Sequence, residues 1–161
     1  MANRLTGMAD AIGVLLRGRG ETVAVAESAA GGLVSAALLA VPGASAYFLG
    51  GGVIYTHASR RGLLGLAGDH VTMQGASEEF AALSAKVARE RCGATWGLGE
   101  TGAAGPTGSR YGHPAGHVAL AVSGPVEKVA TIETGSADRE ANMWAFAEEA
   151  LKLFERAVRD A

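Results

Sequence analysis

A chain of 161 residues, 48% hydrophobic and 19% charged, carries enough apolar surface to build a core without disulfides or a structural metal, which excludes a disordered chain and a cystine-stapled miniprotein. A net charge of −2 from 14 basic and 16 acidic residues, with no Lys/Arg cluster, argues against nucleic acid as a partner. Cys92 has no disulfide partner, no Cys/His spacing fits zinc, and the longest apolar run, Leu33 to Val41, is too short to cross a bilayer. The reading is therefore one domain over residues 1–161, cytoplasmic, with no metal, no cofactor, no membrane span and no targeting segment.

Leu5, Met8, Ile12, Leu15 and Leu16 recur at helical spacing, so a helix covers roughly residues 3–17 and ends at Gly18-Arg19-Gly20. Thr22 to Ala26 is short and β-branched like a buried strand, and Glu27-Ser28-Ala29-Ala30-Gly31-Gly32 turns it into the apolar stretch Leu33 to Leu39. After the break at Val41-Pro42-Gly43-Ala44-Ser45, a second strand ends at Tyr55-Thr56. Ser77, Glu78 and Glu79 place a cap and two acids at the positive end of a helix that reaches Gly93.

Ala94 to Leu98 reads as a third strand, followed by a turn from Thr101 to Gly116 of a length that is often functional. His117 to Ser123 and Lys128 to Thr134 flank Gly124-Pro125 as a hairpin, and Asp138 begins a last helix with Trp144, Ala147, Leu151 and Phe154 on its apolar face. The order α-β-α-β-α-β-β-β-α predicts an α/β fold, a three-layer α/β/α sandwich with a mixed sheet. Ligands in such folds bind beyond the carboxyl ends of the strands, and both Glu27-Ser28 and Thr101-Gly102 are expected just after strands.

Each candidate site residue has a plain structural reading beside a chemical one. Ser28 either caps the helix that follows or serves as a nucleophile or anion ligand, with the backbone N–H groups near Gly31 and Gly32 receiving an oxyanion. Gly97-Leu98-Gly99-Glu100-Thr101-Gly102 matches a dinucleotide fingerprint in letters, but no helix follows and no acid stands about 20 residues on, so the match is fortuitous. Gly102 to Gly108 lacks a Walker lysine and reads as a rigid pocket wall carrying Gly102 and Gly105. Tyr55 offers a ring to stack on, His57 a titratable imidazole at the start of a helix, and Arg60, Arg61 and Arg139 are either solvated charges or phosphate clamps.

Four ordered blocks together resemble the CinA C-terminal family over nearly the whole chain: Ala26 to Gly32, Val41 to Ser45, Gly51 to Thr56, and Thr101 to Pro106. Members of that family remove the carboxamide nitrogen of nicotinamide mononucleotide, giving nicotinate mononucleotide and ammonia. The resemblance implies that Ser28 matches the catalytic serine, while Ala29 and Ala30 replace the family's cysteine and threonine. It places Arg60 where the family carries a lysine implicated in catalysis, and a guanidinium cannot give up its proton to act as a base. Thr101 matches a family hydroxyl residue, Arg139 an arginine associated with the nucleotide phosphate, and His57 stands where asparagine is common, a possible replacement base. The expected ligand is a pyridine mononucleotide and the expected assembly a homo-oligomer. The separate N-terminal domain that often precedes this family has no room here. Two readings stay open: an amidohydrolase, or a non-catalytic nucleotide-binding module or scaffold with a vestigial pocket.

Overall fold

The computed structural model describes residues 2–161, with side chains from Arg4 onward. In chain order the elements are α1 (Ala2–Arg19), β1 (Val23–Glu27), α2 (Leu33–Leu39), a 3-10 turn (Ala44–Ala46), β2 (Phe48–Val53), α3 (His57–Gly62), α4 (Asp69–Thr72), α5 (Glu78–Cys92), β3 (Trp96–Ala103), β4 (His117–Ser123), β5 (Lys128–Glu133) and α6 (Arg139–Arg159). The strands form one sheet in the order β2-β1-β3-β4-β5, with β2, β1 and β3 parallel and β4 and β5 antiparallel. Helices α1, α2 and α6 pack on one another over one face and α5 covers the other, so the architecture is the expected three-layer α/β/α sandwich.

Side-chain size differs between the two faces of the sheet, and this sets how close each helix layer sits. Val23, Val25, Trp96, Leu98, Val118, Leu120 and Val122 join the core under α1, α2 and α6. The alternate positions, Ala24 and Ala26 on β1 and Ala119 and Ala121 on β4, are small and face Ala81, Ala85 and Ala88 of α5. On β3 even alanine is too large: a Cβ on Gly97 would strike the Ala85 carbonyl oxygen, and one on Gly99 the Ala81 carbonyl oxygen. Close packing of α5 therefore accounts for the glycines that mimic a dinucleotide fingerprint.

The helix ends follow the sequence. Ser77 Oγ accepts the Phe80 N–H at 3.1 Å, Asp138 Oδ1 accepts the Ala141 N–H at 3.0 Å, and α5 stops at Gly93 with φ +64°. Two strands and two short helices differ from the expected order. Strand β2 ends at Val53, so Tyr55 and Thr56 lie beyond it, and Thr56 caps α3 in a reciprocal bond with Ser59. Helices α3 and α4, six and four residues long, are too short to show periodicity in sequence. Strand β3 runs on to Ala103 because its pairing with β4 continues to Ala103 opposite His117, which puts Thr101 and Gly102 at the end of the strand rather than after it.

Among the described residues no helix is long and apolar enough to cross a membrane. Gly99→Ala is expected to lower stability by about 1–3 kcal/mol in urea unfolding, the usual cost of overpacking a filled interior. Gly50→Ala, at a position with open space around it, is expected to leave stability nearly unchanged.

Candidate functional site

The site begins with the turn after β1. Glu27, the last residue of β1, is 1% exposed and points its carboxylate at the start of α2. Its Oε1 accepts the N–H groups of Gly32 (3.1 Å) and Val34 (2.9 Å), and its Oε2 accepts the Ser35 N–H (2.8 Å) and hydroxyl (2.6 Å). The first turn of a helix leaves N–H groups unpaired, and Gly32 at the cap position has no side chain to satisfy them. Glu27 does that work from the neighbouring strand.

Glu100 stands beside it, since β1 and β3 are parallel neighbours with Ala26 opposite Gly99. Glu100 Oε2 accepts the Ser28 N–H at 2.8 Å and the Ala30 N–H at 2.9 Å, while Oε1 is buried without a partner. Burial is the largest influence on Glu100 and raises its pKa; the amides of Ala30, Ser28 and Ala29 oppose it and the Glu27 charge adds to it, leaving the group at about 7. The two carboxyl groups thus take the N–H groups of Ser28, Ala30, Gly32, Val34 and Ser35. Gly31 N–H donates to the Ser28 carbonyl at 3.1 Å.

Above this floor a cavity of about 470 Å³ opens at the carboxyl ends of β1 and β3. Ser28, Tyr55, His57, Arg60, Thr101, Gly102, Gly105 and Arg139 all line it, and Gly31 and Gly32 do not. The oxyanion site expected at Gly31 and Gly32 is absent for a physical reason: their N–H groups are bonded within the turn, and the glycines instead let Met143 and Val53 approach. Among the described residues Ser28 Oγ has no hydrogen-bond partner, although its own N–H is held by Glu100.

The walls are held by side chains whose work sequence reading assigned differently. Arg60 is 7% exposed; both protons of its Nη1 go to the carbonyls of Val71 (2.8 Å) and Met73 (2.7 Å), and the guanidinium stacks 3.8 Å above the Phe80 ring. Arg60 therefore pins the segment around α4, and only its remaining edge, beside Gly75, faces the cavity, not the free fork expected of a phosphate clamp. Thr101 Oγ1 accepts the Ala76 N–H at 3.0 Å and keeps its own proton for a ligand. Ala76 holds φ at 51°, and its carbonyl lies 3.0 Å from His117 Nε2.

Arg139, the first residue of α6, donates from Nη1 to the Gly105 carbonyl and from Nη2 to the Tyr55 hydroxyl at 3.1 Å, which leaves three of its five N–H groups for a ligand. His57 Nε2 lies 3.2 Å from Arg110 Nη2, so that nitrogen serves as acceptor and the ring proton sits on Nδ1. Desolvation and the charges of Arg60, Arg110 and Arg61 lower the His57 pKa and so favour the neutral ring.

Ser109, Arg110 and Tyr111, from the long turn between β3 and β4, complete the wall, and sequence reading passed over them. Their signal was present, a cation next to an aromatic ring in a glycine-rich loop already marked as functional. Three guanidinium groups, those of Arg60, Arg110 and Arg139, line the cavity with no carboxylate in its wall, and none of the three forms an ion pair among the described residues. The cavity is built to attract an anion.

Fold and cavity together define an α/β/α domain with an anion-receptive pocket at the carboxyl ends of the parallel strands of a mixed sheet. The chain belongs to the CinA C-terminal domain family, whose model matches residues 5–158. It is 43% identical over 153 residues to a CinA-like protein of Anaeromyxobacter dehalogenans, covering 93% of this chain and 37% of that protein. It is also 49% identical over 112 residues to a CinA-like protein of Prochlorococcus marinus, covering 69% of this chain and 26% of the relative. The chain thus spans little more than a third of the curated relatives it matches, or less. Among solved structures it resembles the competence/damage inducible protein CihA of Agrobacterium tumefaciens at 30% identity and TM-score 0.87, covering 96% of this chain and 95% of that one. A CinA superfamily protein of Klebsiella pneumoniae shares the fold at TM-score 0.89 and 23% identity, over 98% and 99% of the two chains.

Glu100 gives the floor a pH signature. Its folded pKa of about 7 lies above the ordinary carboxyl value, so the unfolded chain loses this proton first. Stability from this group is present at acid pH and falls by a few kcal/mol in all as pH rises from about 4.5 to about 7. Glu100→Gln keeps an oxygen for the Ser28 and Ala30 N–H groups and removes the ionisation, so its unfolding free energy is expected to be flatter across that window. A variant with the wild-type slope would show that Glu100 does not titrate there.

Proposed function

We propose that the chain is an amidohydrolase-type protein acting on a pyridine mononucleotide, with nicotinamide mononucleotide as the substrate implied by its family resemblance. The observation that carries this reading is a serine hydroxyl without a protein partner in the same cavity as three guanidinium groups without a carboxylate. A mononucleotide matches that division: a dianionic phosphate for the arginines, and a neutral carboxamide carbon for a nucleophile.

Arg139 takes the phosphate, and the Tyr55 ring, 58% exposed, lies against the pyridine. Ser28 Oγ attacks the carboxamide carbon, ammonia leaves, and water releases nicotinate mononucleotide. Thr101, with its hydroxyl proton uncommitted to the loop, donates to the developing oxyanion. The Gly31-Gly32 amides take no part, being bonded within the turn.

A second reading is favoured by one observation. No titratable side chain hydrogen-bonds Ser28 Oγ among the described residues, which suits a module that binds the nucleotide without turning it over. Thermal unfolding with nicotinamide mononucleotide and an ammonia assay separate the two. Both readings expect millimolar ligand to raise Tm in wild type and Arg139→Ala to lose that rise. Turnover that disappears in Ser28→Ala establishes the amidohydrolase, and a Tm rise without ammonia establishes the binding module. No Tm rise with any pyridine mononucleotide would contradict both.

A further inference from the structure

Hydrolysis through Ser28 requires a group that accepts the serine proton. Arg60 is a permanent cation tied to two carbonyls, and the acceptor nitrogen of His57 already faces Arg110. Tyr111 stands on the same cavity wall as Ser28. Its phenol oxygen accepts the Arg110 Nη2–H at 3.0 Å, and the Arg110 guanidinium carbon lies 5.1 Å from the ring centroid.

Arg60 lies nearby, across Gly75. A Cβ added at Gly75 would stand 3.1 Å from Arg60 Nη2, 3.7 Å from Tyr111 Cε2 and 3.7 Å from Thr101 Oγ1. The absence of a side chain at Gly75 therefore lets one cation, the phenol ring and the strand-end hydroxyl converge. Arg110 bonds the phenol directly, Arg60 lies near its ring across Gly75, and no carboxylate lines the cavity to neutralise the two cations. A negative oxygen is what such surroundings favour.

We propose that Tyr111 is the proton acceptor of this cavity, a phenolate held by Arg60 and Arg110 where a lysine amine would otherwise serve. The inference rests on the amidohydrolase reading above. The Tyr111 oxyanion takes the Ser28 hydroxyl proton, directly or through one water, as Oγ bonds to the carboxamide carbon. The resulting phenol gives that proton to the departing nitrogen, which leaves as ammonia when the C–N bond breaks. A water then attacks the acyl ester, its proton passing to Tyr111 and on to Ser28 as the ester bond cleaves, so that one water is consumed and one carboxylic acid and one ammonia are formed.

Ionisation of the phenol agrees with this arrangement. Burial, the largest single influence, pushes the Tyr111 pKa up, but the Arg110 hydrogen bond, the Gly75 amide and the charges of Arg110 and Arg60 together pull it below the ordinary tyrosine value. Of the other two tyrosines, Tyr47 is buried and shifted upward, so it cannot be mistaken for an early-ionising group.

Titration in the tyrosinate absorbance band tests the site whether or not the chain turns over substrate. The first phenol to ionise in wild type is expected to vanish in Tyr111→Phe, to persist in Tyr55→Phe, and to move to higher pH in Arg110→Gln. A Tyr111→Phe curve that keeps the early step overturns the proposal. Ammonia release from nicotinamide mononucleotide, followed against pH, tests the role. Tyr111→Phe is expected to lose about a hundredfold or more in kcat with little change in KM, and to lose the rising limb that follows phenol ionisation. Wild-type rate and profile in that variant overturn the base assignment even with the early titration intact. An early titration that maps to Tyr111, with no ammonia from wild type at any pH, means that the amidohydrolase reading has failed and has taken the catalytic role with it, while the ionised phenol stands.

Discussion

Two buried carboxyl groups at the ends of adjacent parallel strands, Glu27 and Glu100, satisfy the backbone of the turn that presents Ser28. An unpaired helix N-terminus in an apolar interior is costly, and here no side chain within the turn can pay that debt, because residues 29–32 are two alanines and two glycines. Glu27 takes the donors at the start of α2 and Glu100 those at Ser28 and Ala30. The turn is held rigidly, and its positive end is already neutralised. An incoming anion must then be received elsewhere, and the guanidinium groups of Arg139, Arg60 and Arg110 lie across the same cavity.

The small face of the sheet is the second determinant. Because Gly97 and Gly99 let α5 settle directly on β3, the segment leading into α5 comes close enough to the strand end for Thr101 to hold the Ala76 amide. That brings Gly75 over the cavity, and Arg60 reaches back from α3 to hold the carbonyls of Val71 and Met73. A packing requirement between helix and strand is in this way converted into the position of a loop that lines the site.

Much of the framework was legible because it depends on local chemistry. Periodicity located α1 and α6, capping residues located the starts of α5 and α6, and the strand-turn-helix around Ser28 followed from the glycines. What was not legible depends on partners distant in sequence. Glu27 and Glu100 look like ordinary acids flanking a turn until the parallel pairing of β1 and β3 sets them side by side. Gly31 and Gly32 suggest open amides, but whether an amide is free depends on a carboxylate five residues upstream and on the closure of the turn. Arg60 and Arg139 are both arginines near a strand end, and only the folded positions of Val71 and Met73 show that one of them is half committed to a loop. Tyr111 beside Arg110 in a glycine-rich loop hints at a site but not at a role, since its surroundings also come from α3 and from Gly75.

The central claim is that the anion is received by the arginine wall and not by the amides of the Ser28 turn. A crystal structure with nicotinamide mononucleotide bound tests it most directly. The account predicts the phosphate within hydrogen-bond distance of the Arg139 guanidinium, the carboxamide carbon at attack distance from Ser28 Oγ, and the bonds from Glu27 and Glu100 to the turn intact. A phosphate seated on the N–H groups of Gly31, Gly32 or Val34, with either carboxyl displaced, would contradict it.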